Sequence, residues 1–203
     1  MALQPSLQPL IIAGAPSAPQ TLDVFLDYVC PYSKKIALTI DKVVIPLLNS
    51  QQYSGKVKII FRNQVQPWHA SSTLVHEAGL AVARVAPHKF WAFSLALFEK
   101  QDDFFDIPTS DLTVKQIRAK LADLAASVIG ADKREAVLDL LKNKTSPNGG
   151  VDVTDDLKYT IKFSRQNGIH VSPTVLLDGL IANEISSSWG ETEWGTFLSQ
   201  KIA

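Results

Sequence analysis

The chain has 203 residues, 46% of them hydrophobic and 20% charged, with 20 basic side chains balanced by 20 acidic ones. That is enough chain to bury a full core, while the charge balance leaves no global field to draw nucleic acid, anionic lipid or an acidic substrate. No stretch approaches the roughly 20 apolar residues that span a bilayer, and the single cysteine cannot close an intrachain disulfide, so neither nucleic acid nor membrane is expected as a partner.

Residues 1–20 carry four prolines and no charge, which predicts an irregular arm, with Leu7 to Ile12 suited to a sheet edge. Its apolar run P-L-I-I-A-G-A is short for a secretory core and nothing basic precedes it, so the expected compartment is the cytosol or an organelle matrix. The run L-D-V-F-L-D-Y-V, residues 22–29, is rich in β-branched and aromatic residues and predicts a central strand. Pro31 suits the first position of a helix, and Ile36, Ala37, Ile40, Val43, Val44 and Leu47 continue at helical spacing to about Leu48, with Pro46 a kink or an end. K-V-K-I-I-F-R, 56–62, predicts a second strand, and strand, helix, strand predicts a parallel crossover.

From 71 to 167 the chain reads as helices broken at Pro87, D-D-F-F-D-I-P (102–108), Gly130 and S-P-N-G-G (146–150), one inserted block ended by Gly168. Then H-V-S-P-T-V-L-L-D-G-L-I-A-N-E-I predicts two short strands turning at Asp178-Gly179, and a last helix covers about Thr192 to Ile202. The predicted organisation is an arm (1–20), an α/β domain made from 21–70 and 168–203, and a helical insertion (71–167).

The chemistry concentrates at D-Y-V-C-P-Y-S, 27–33. Cys30 falls between a strand and a helix start, where unpaired N–H groups and the helix dipole favour a thiolate. Such positions bring a cysteine from about 8.5 down to roughly 3.5–7.5 and make it nucleophilic. Ser33, one turn on, either donates a hydroxyl back to the sulfur or simply belongs to the first helical turn. Tyr32 either packs, stays in solvent or lines a groove. Asp27, three residues before the cysteine, is expected to be buried, with proton relay the less ordinary of its roles. The four histidines (69, 76, 88 and 170) are too widely spaced for a local metal motif, so no metal is expected. His170, three residues before Pro173, is the one placed to approach the sulfur, although a structural role is the ordinary expectation. Lys34 and Lys35 either face solvent or meet a ligand carboxylate, and Trp189 and Trp194 are expected to pack on the sheet. In V-S-P-T, 171–174, position alone predicts a trans prolyl bond, since roughly 5–6% of such bonds are cis in folded proteins.

Taken in order, C-P-Y-S, a long helix, a second strand followed by F-R-N-Q-V-Q-P-W-H-A, a helical insertion with K-F-W-A-F-S-L-A-L-F-E-K-Q, and the G-I-H-V-S-P-T strand resemble the bacterial DsbA-like branch of the thioredoxin superfamily over roughly residues 13–200. That resemblance implies a thioredoxin-like α/β fold with a central mixed sheet and a large all-helical insertion between its β-α-β and β-β-α halves. It implies Cys30 as attacking thiol with Ser33 beside it as the candidate catalytic pair. Pro31, Tyr32, Ser172 and a cis Pro173 would then be substrate-binding residues. Ser33 departs from the dithiol pattern, so an internal disulfide is excluded. C-P-Y-S also resembles the active site of monothiol glutaredoxins, and kappa-class glutathione transferases share the helical insertion, usually with serine where Cys30 stands. The implied function is single-cysteine thiol-disulfide exchange with glutathione as co-substrate and a thiol or disulfide partner. The alternatives are a kappa-like transferase or isomerase, and a non-catalytic peptide-binding module.

Overall fold

Strand β2, Gln20–Leu26, is buried along almost its whole length, as a strand with neighbours on both edges and layers on both faces must be. In the computed structural model, which describes residues 3–202, it stands at the middle of a five-stranded sheet of order β1-β3-β2-β4-β5. β3, Val57–Asn63, runs parallel to β2, pairing Gln20 with Val57 through to Leu26 with Asn63. β4, Thr174–Leu177, runs antiparallel on the other side, pairing Leu22 with Leu177 and Phe25 with Thr174. The expected parallel crossover is therefore present; the central strand lies at Gln20–Leu26 and not over the expected 22–29, because Asp27, Tyr28 and Val29 leave the sheet to form the cysteine turn.

The sheet edges are short. β1, Ile11–Ala13, pairs antiparallel with β3 after a 3₁₀ segment at Pro5–Leu10, so the proline-rich arm is more regular than its composition suggested. Leu7 and Leu10 explain this, because both are fully buried in the main core. β5, Leu180–Ile181, closes the other edge through a hairpin at Asp178 and Gly179, both with positive φ, as Asp-Gly turns require.

Helix α1, Pro31–Thr39, passes through a π segment at Ile40–Val44 into α2, Ile45–Leu48. The helix therefore runs two residues past Pro46, to Leu48. The Ile45 N–H reaches back to the Ile40 carbonyl, and this wider register accommodates the missing donor of Pro46 next in the chain. The insertion comprises α3 (Ser72–Val85), α4 (Phe90–Glu99), α5 (Asp106–Thr109), α6 (Val114–Ile129), α7 (Arg134–Leu140) and α8 (Thr154–Gln166), before α9, Glu191–Lys201, ends the fold. Gly168 stops α8 at φ +66, with the Ile169 N–H on the Ser164 carbonyl.

Strand alternation sorts the core. Leu22, Val24 and Leu26 join the main cluster with α1, α3 and α4. Phe25 belongs to a smaller one with Leu176, Phe163 and Ile169. On that second face Arg62 pairs with Asp23 at 2.7 Å and lies 4.3 Å from the Phe163 ring centroid, so the buried charge is both paired and stacked. Trp189 and Trp194 meet edge to face at 5.5 Å and join Phe197 of α9; Trp194 and Phe197 lie in the main core, and Trp189, partly buried, packs against it.

Candidate functional site

β2 ends at Leu26 and the chain crosses Asp27, Tyr28 and Val29 to Cys30, which is the N-cap of α1 in extended conformation. Pro31 takes the first helical position, where its missing N–H costs nothing. The cysteine side chain makes no capping hydrogen bond. Its Sγ instead donates to the Ser172 carbonyl at 3.5 Å, and the Ser172-Pro173 bond is cis. The two segments singled out in the sequence, 142 residues apart, thus meet at the sulfur.

A cleft of about 250 Å³ opens there, between the Cys30-Pro31-Tyr32 turn, the loop carrying Gln66, Trp68 and His69, and the Val171-Ser172 bend. Cys30 itself is only 8% exposed, so it lies at the floor of the cleft it lines. The rim is apolar and wet: Tyr32, Trp68 and Val171 are among the few large hydrophobic side chains exposed to solvent. Two buried polar atoms on residues of the wall, Gln66 Nε2 and Ser172 Oγ, have no hydrogen-bond partner among the described residues.

Of the residues anticipated, Cys30, Pro31, Tyr32 and Ser172 line this cleft, and Pro173 follows directly in the chain. Ser33 does not join them. Its side chain is fully buried, and its hydroxyl accepts the Asp27 N–H at 3.2 Å, with no bond to the sulfur. The expected donor to a thiolate is turned inward because the Asp27 amide, past the end of β2, needs an acceptor. His170 is exposed and is not part of the cleft wall; the histidine there is His69. Lys34 Nζ donates to the Glu99 carbonyl at 3.3 Å, whereas Lys35 Nζ lies 5.6 Å from the Tyr32 ring centroid, behind the rim.

Beneath the cysteine turn lies a polar cluster. Asp27 is fully buried and accepts from the Val29 N–H at 3.2 Å, the Gln66 N–H at 3.1 Å and Ser72 Oγ at 2.9 Å. His76 Nε2 is 3.5 Å from the same carboxylate, and its Nδ1 is 2.8 Å from Asn63 Nδ2. Gln101 Nε2 donates to the Tyr28 carbonyl at 2.7 Å and the Cys30 carbonyl at 3.3 Å. Sequence reasoning missed His76 and Gln101. Both arrive from the insertion, and the only signal for Gln101 was its place at the end of K-F-W-A-F-S-L-A-L-F-E-K-Q. Tyr28 packs between Phe61, His76 and Phe98, with its hydroxyl 2.8 Å from Ser94 Oγ; burial pushes its ionisation far above the ordinary tyrosine range, and Ser94 pulls it back only in part.

This arrangement has known counterparts. A family model described as thioredoxin matches residues 7–193, and the chain belongs to that family. Among solved structures, a candidate protein-disulfide isomerase from Pseudomonas syringae is 26% identical with a TM-score of 0.73, covering 95% of this chain and 99% of that one. BdbD from Bacillus subtilis is 24% identical (TM-score 0.70, 97% and 95% covered), and MdbA, a thiol-disulfide oxidoreductase from Corynebacterium diphtheriae, is 17% identical (TM-score 0.62, 96% and 90% covered). The last two bear on the fold alone. Among curated proteins no relative matches. The fold is thus thioredoxin-like, with the helical insertion of its DsbA-like structural neighbours.

Proposed function

We propose that the protein is a thiol-disulfide oxidoreductase that works through Cys30 alone, with glutathione as the outside thiol. The observation that carries this is the sulfur's place: at the N-cap of α1, 3.5 Å from the Ser172 carbonyl, on the floor of the cleft. Cys30 attacks a disulfide, forming a mixed disulfide, and since the chain has one cysteine a second thiol must resolve the adduct. The likeness to a candidate protein-disulfide isomerase from Pseudomonas syringae supports the reaction class. A reducing compartment, cytosol or organelle matrix, suits a chemistry that consumes glutathione.

The cleft favours a cysteine-bearing peptide as the disulfide partner. Its rim offers Tyr32, Trp68 and Val171 to apolar side chains, and Gln66 Nε2 supplies a donor for a backbone carbonyl. Among the described residues no lysine or arginine stands in its wall, which gives a transferase holding the glutathione carboxylates less support. The test is reduction of a glutathionylated peptide by excess glutathione. Wild type is expected to turn it over, and Cys30→Ser to fall to the uncatalysed rate; a Cys30→Ser variant as fast as wild type ends this reading.

A further inference from the structure

The sulfur's one hydrogen bond poses a problem for the chemistry. A carbonyl oxygen only accepts, so the contact with Ser172 exists with the cysteine as S–H and must be surrendered when the proton leaves. Ser33 is buried, accepts the Asp27 N–H and makes no hydrogen bond to the sulfur among the described residues. No internal thiol exists to take up or return the proton, and the leaving sulfur of the substrate needs one.

One proton carrier stands in the cleft wall. His69 shares the wall with Cys30 and also borders an adjoining cleft of about 330 Å³ that contains Asp106. Its side chain is 27% exposed, open enough to meet a ligand and enclosed enough to be held. Nδ1 lies 4.0 Å from Asp106 Oδ2, within reach of the charge, and Asp106 Oδ1 accepts the Ala70 N–H at 3.3 Å, pinning the loop that carries the histidine. Nε2 is the ring nitrogen not turned to Asp106. The titratable groups around this imidazole are Cys30 and Tyr32 from the start of α1 and Asp106 from α5; no other charged side chain lines either cleft.

We propose that His69, oriented by Asp106, is the acid-base catalyst of the exchange at Cys30. This rests on the function proposed above and adds its proton path. His69 takes the proton of Cys30 S–H as the sulfur attacks R–S–S–R′. The S–S bond breaks while Cys30–S–S–R forms, and His69 returns the proton to R′–S⁻ to release R′–SH. Glutathione then attacks the adduct, its proton passing through His69 to the departing Cys30 sulfur. One disulfide is consumed and one made, with glutathione the sole added reductant.

The experiment is single-turnover exchange with a glutathionylated peptide across the neutral pH range, where histidine changes charge. His69→Gln is expected to lower the rate about 10²-fold or more, the usual contribution of a positioned acid-base group, and to erase an inflection present in wild type. Imidazole added to His69→Ala is expected to restore part of the rate, which a merely structural residue would not allow. Asp106→Asn, at a side chain 59% exposed and so tolerant of change, is expected to lose less in the same sense. A His69→Gln rate within about twofold of wild type overturns the proposal. So does a slowed variant whose pH profile keeps its shape and which imidazole does not rescue. If wild type itself fails to exchange, the function reading falls, and alkylation of Cys30 by iodoacetamide against pH decides the coupling alone: displaced curves for wild type and His69→Gln support it, and superimposed curves end it.

Discussion

Asp27 does more for the site than its neighbour in sequence, Ser33, to which the sequence directed attention. Its carboxylate accepts from Val29, Gln66 and Ser72, tying the cysteine turn, the loop after β3 and the first turn of α3 to one pair of oxygens. Removing it strands several buried donors at about 1–3 kcal/mol each. Asp27→Ala is expected to lower the urea unfolding free energy by about 3 kcal/mol or more, and Asp27→Asn by less; an alanine variant as stable as wild type would contradict the clamp. That a carboxylate here is buried was legible, because it follows a strand covered on both faces. Its partners were not: Ser72 lies 45 residues on, and nothing local marks a serine or a histidine as bound for a distant acid. Cys30 and Ser172, which meet at 3.5 Å, could be singled out for the opposite reason, since a helix start and a proline in a strand pattern are local signals. His69 was overlooked because a histidine in a loop declares its role only when the loop has been placed.

At the scale of elements, α3 is the helix that brings the insertion onto the cysteine turn. Gly79 permits this approach: a Cβ there would stand 2.8 Å from the Tyr28 hydroxyl, and Tyr28 is held on all sides by Phe61, His76, Phe98 and Ser94. In a free helix, glycine to alanine gains about 1 kcal/mol. In α3 the tyrosine cannot yield, so Gly79→Ala is expected to destabilise by about 1–3 kcal/mol, the usual cost of overpacking. Thermal unfolding at a higher midpoint than wild type would contradict that. Helix boundaries here follow composition closely, as with Gly168 at the end of α8 and the Asp178-Gly179 hairpin. The π segment before Pro46 escaped the sequence, because apolar spacing alone does not distinguish one extra residue in a turn from a kink.

For the molecule as a whole, charge as well as apolar packing holds the helices of the insertion to one another. Within the insertion, burial pushes the Glu77 carboxyl above the ordinary carboxylate range, and Arg118, hydrogen-bonded at 2.9 Å, pulls it only part of the way back. The folded state then holds that proton more tightly than the unfolded chain. Its stabilising contribution is complete below the unfolded carboxylate value, about 4.3, and disappears as pH rises through the raised folded value. The unfolding free energy of wild type, measured relative to Glu77→Gln, is expected to fall across the acid range and then level; a difference that stays flat or rises would refute the assignment. Arg84 joins Asp156 of α8 at 2.7 Å, and Ser6 of the arm donates to the same carboxylate at 2.8 Å, so arm and insertion are fastened together. Most consequential at this scale is the residue that faces inward where a dithiol protein would carry its second sulfur. On the proposed function, a partner captured by Cys30 would meet no second thiol of the chain to eject it, and the lifetime of the conjugate would be handed to the surroundings. Where small thiols are plentiful that reading makes the link fleeting; where they are scarce it makes the native protein its own snare.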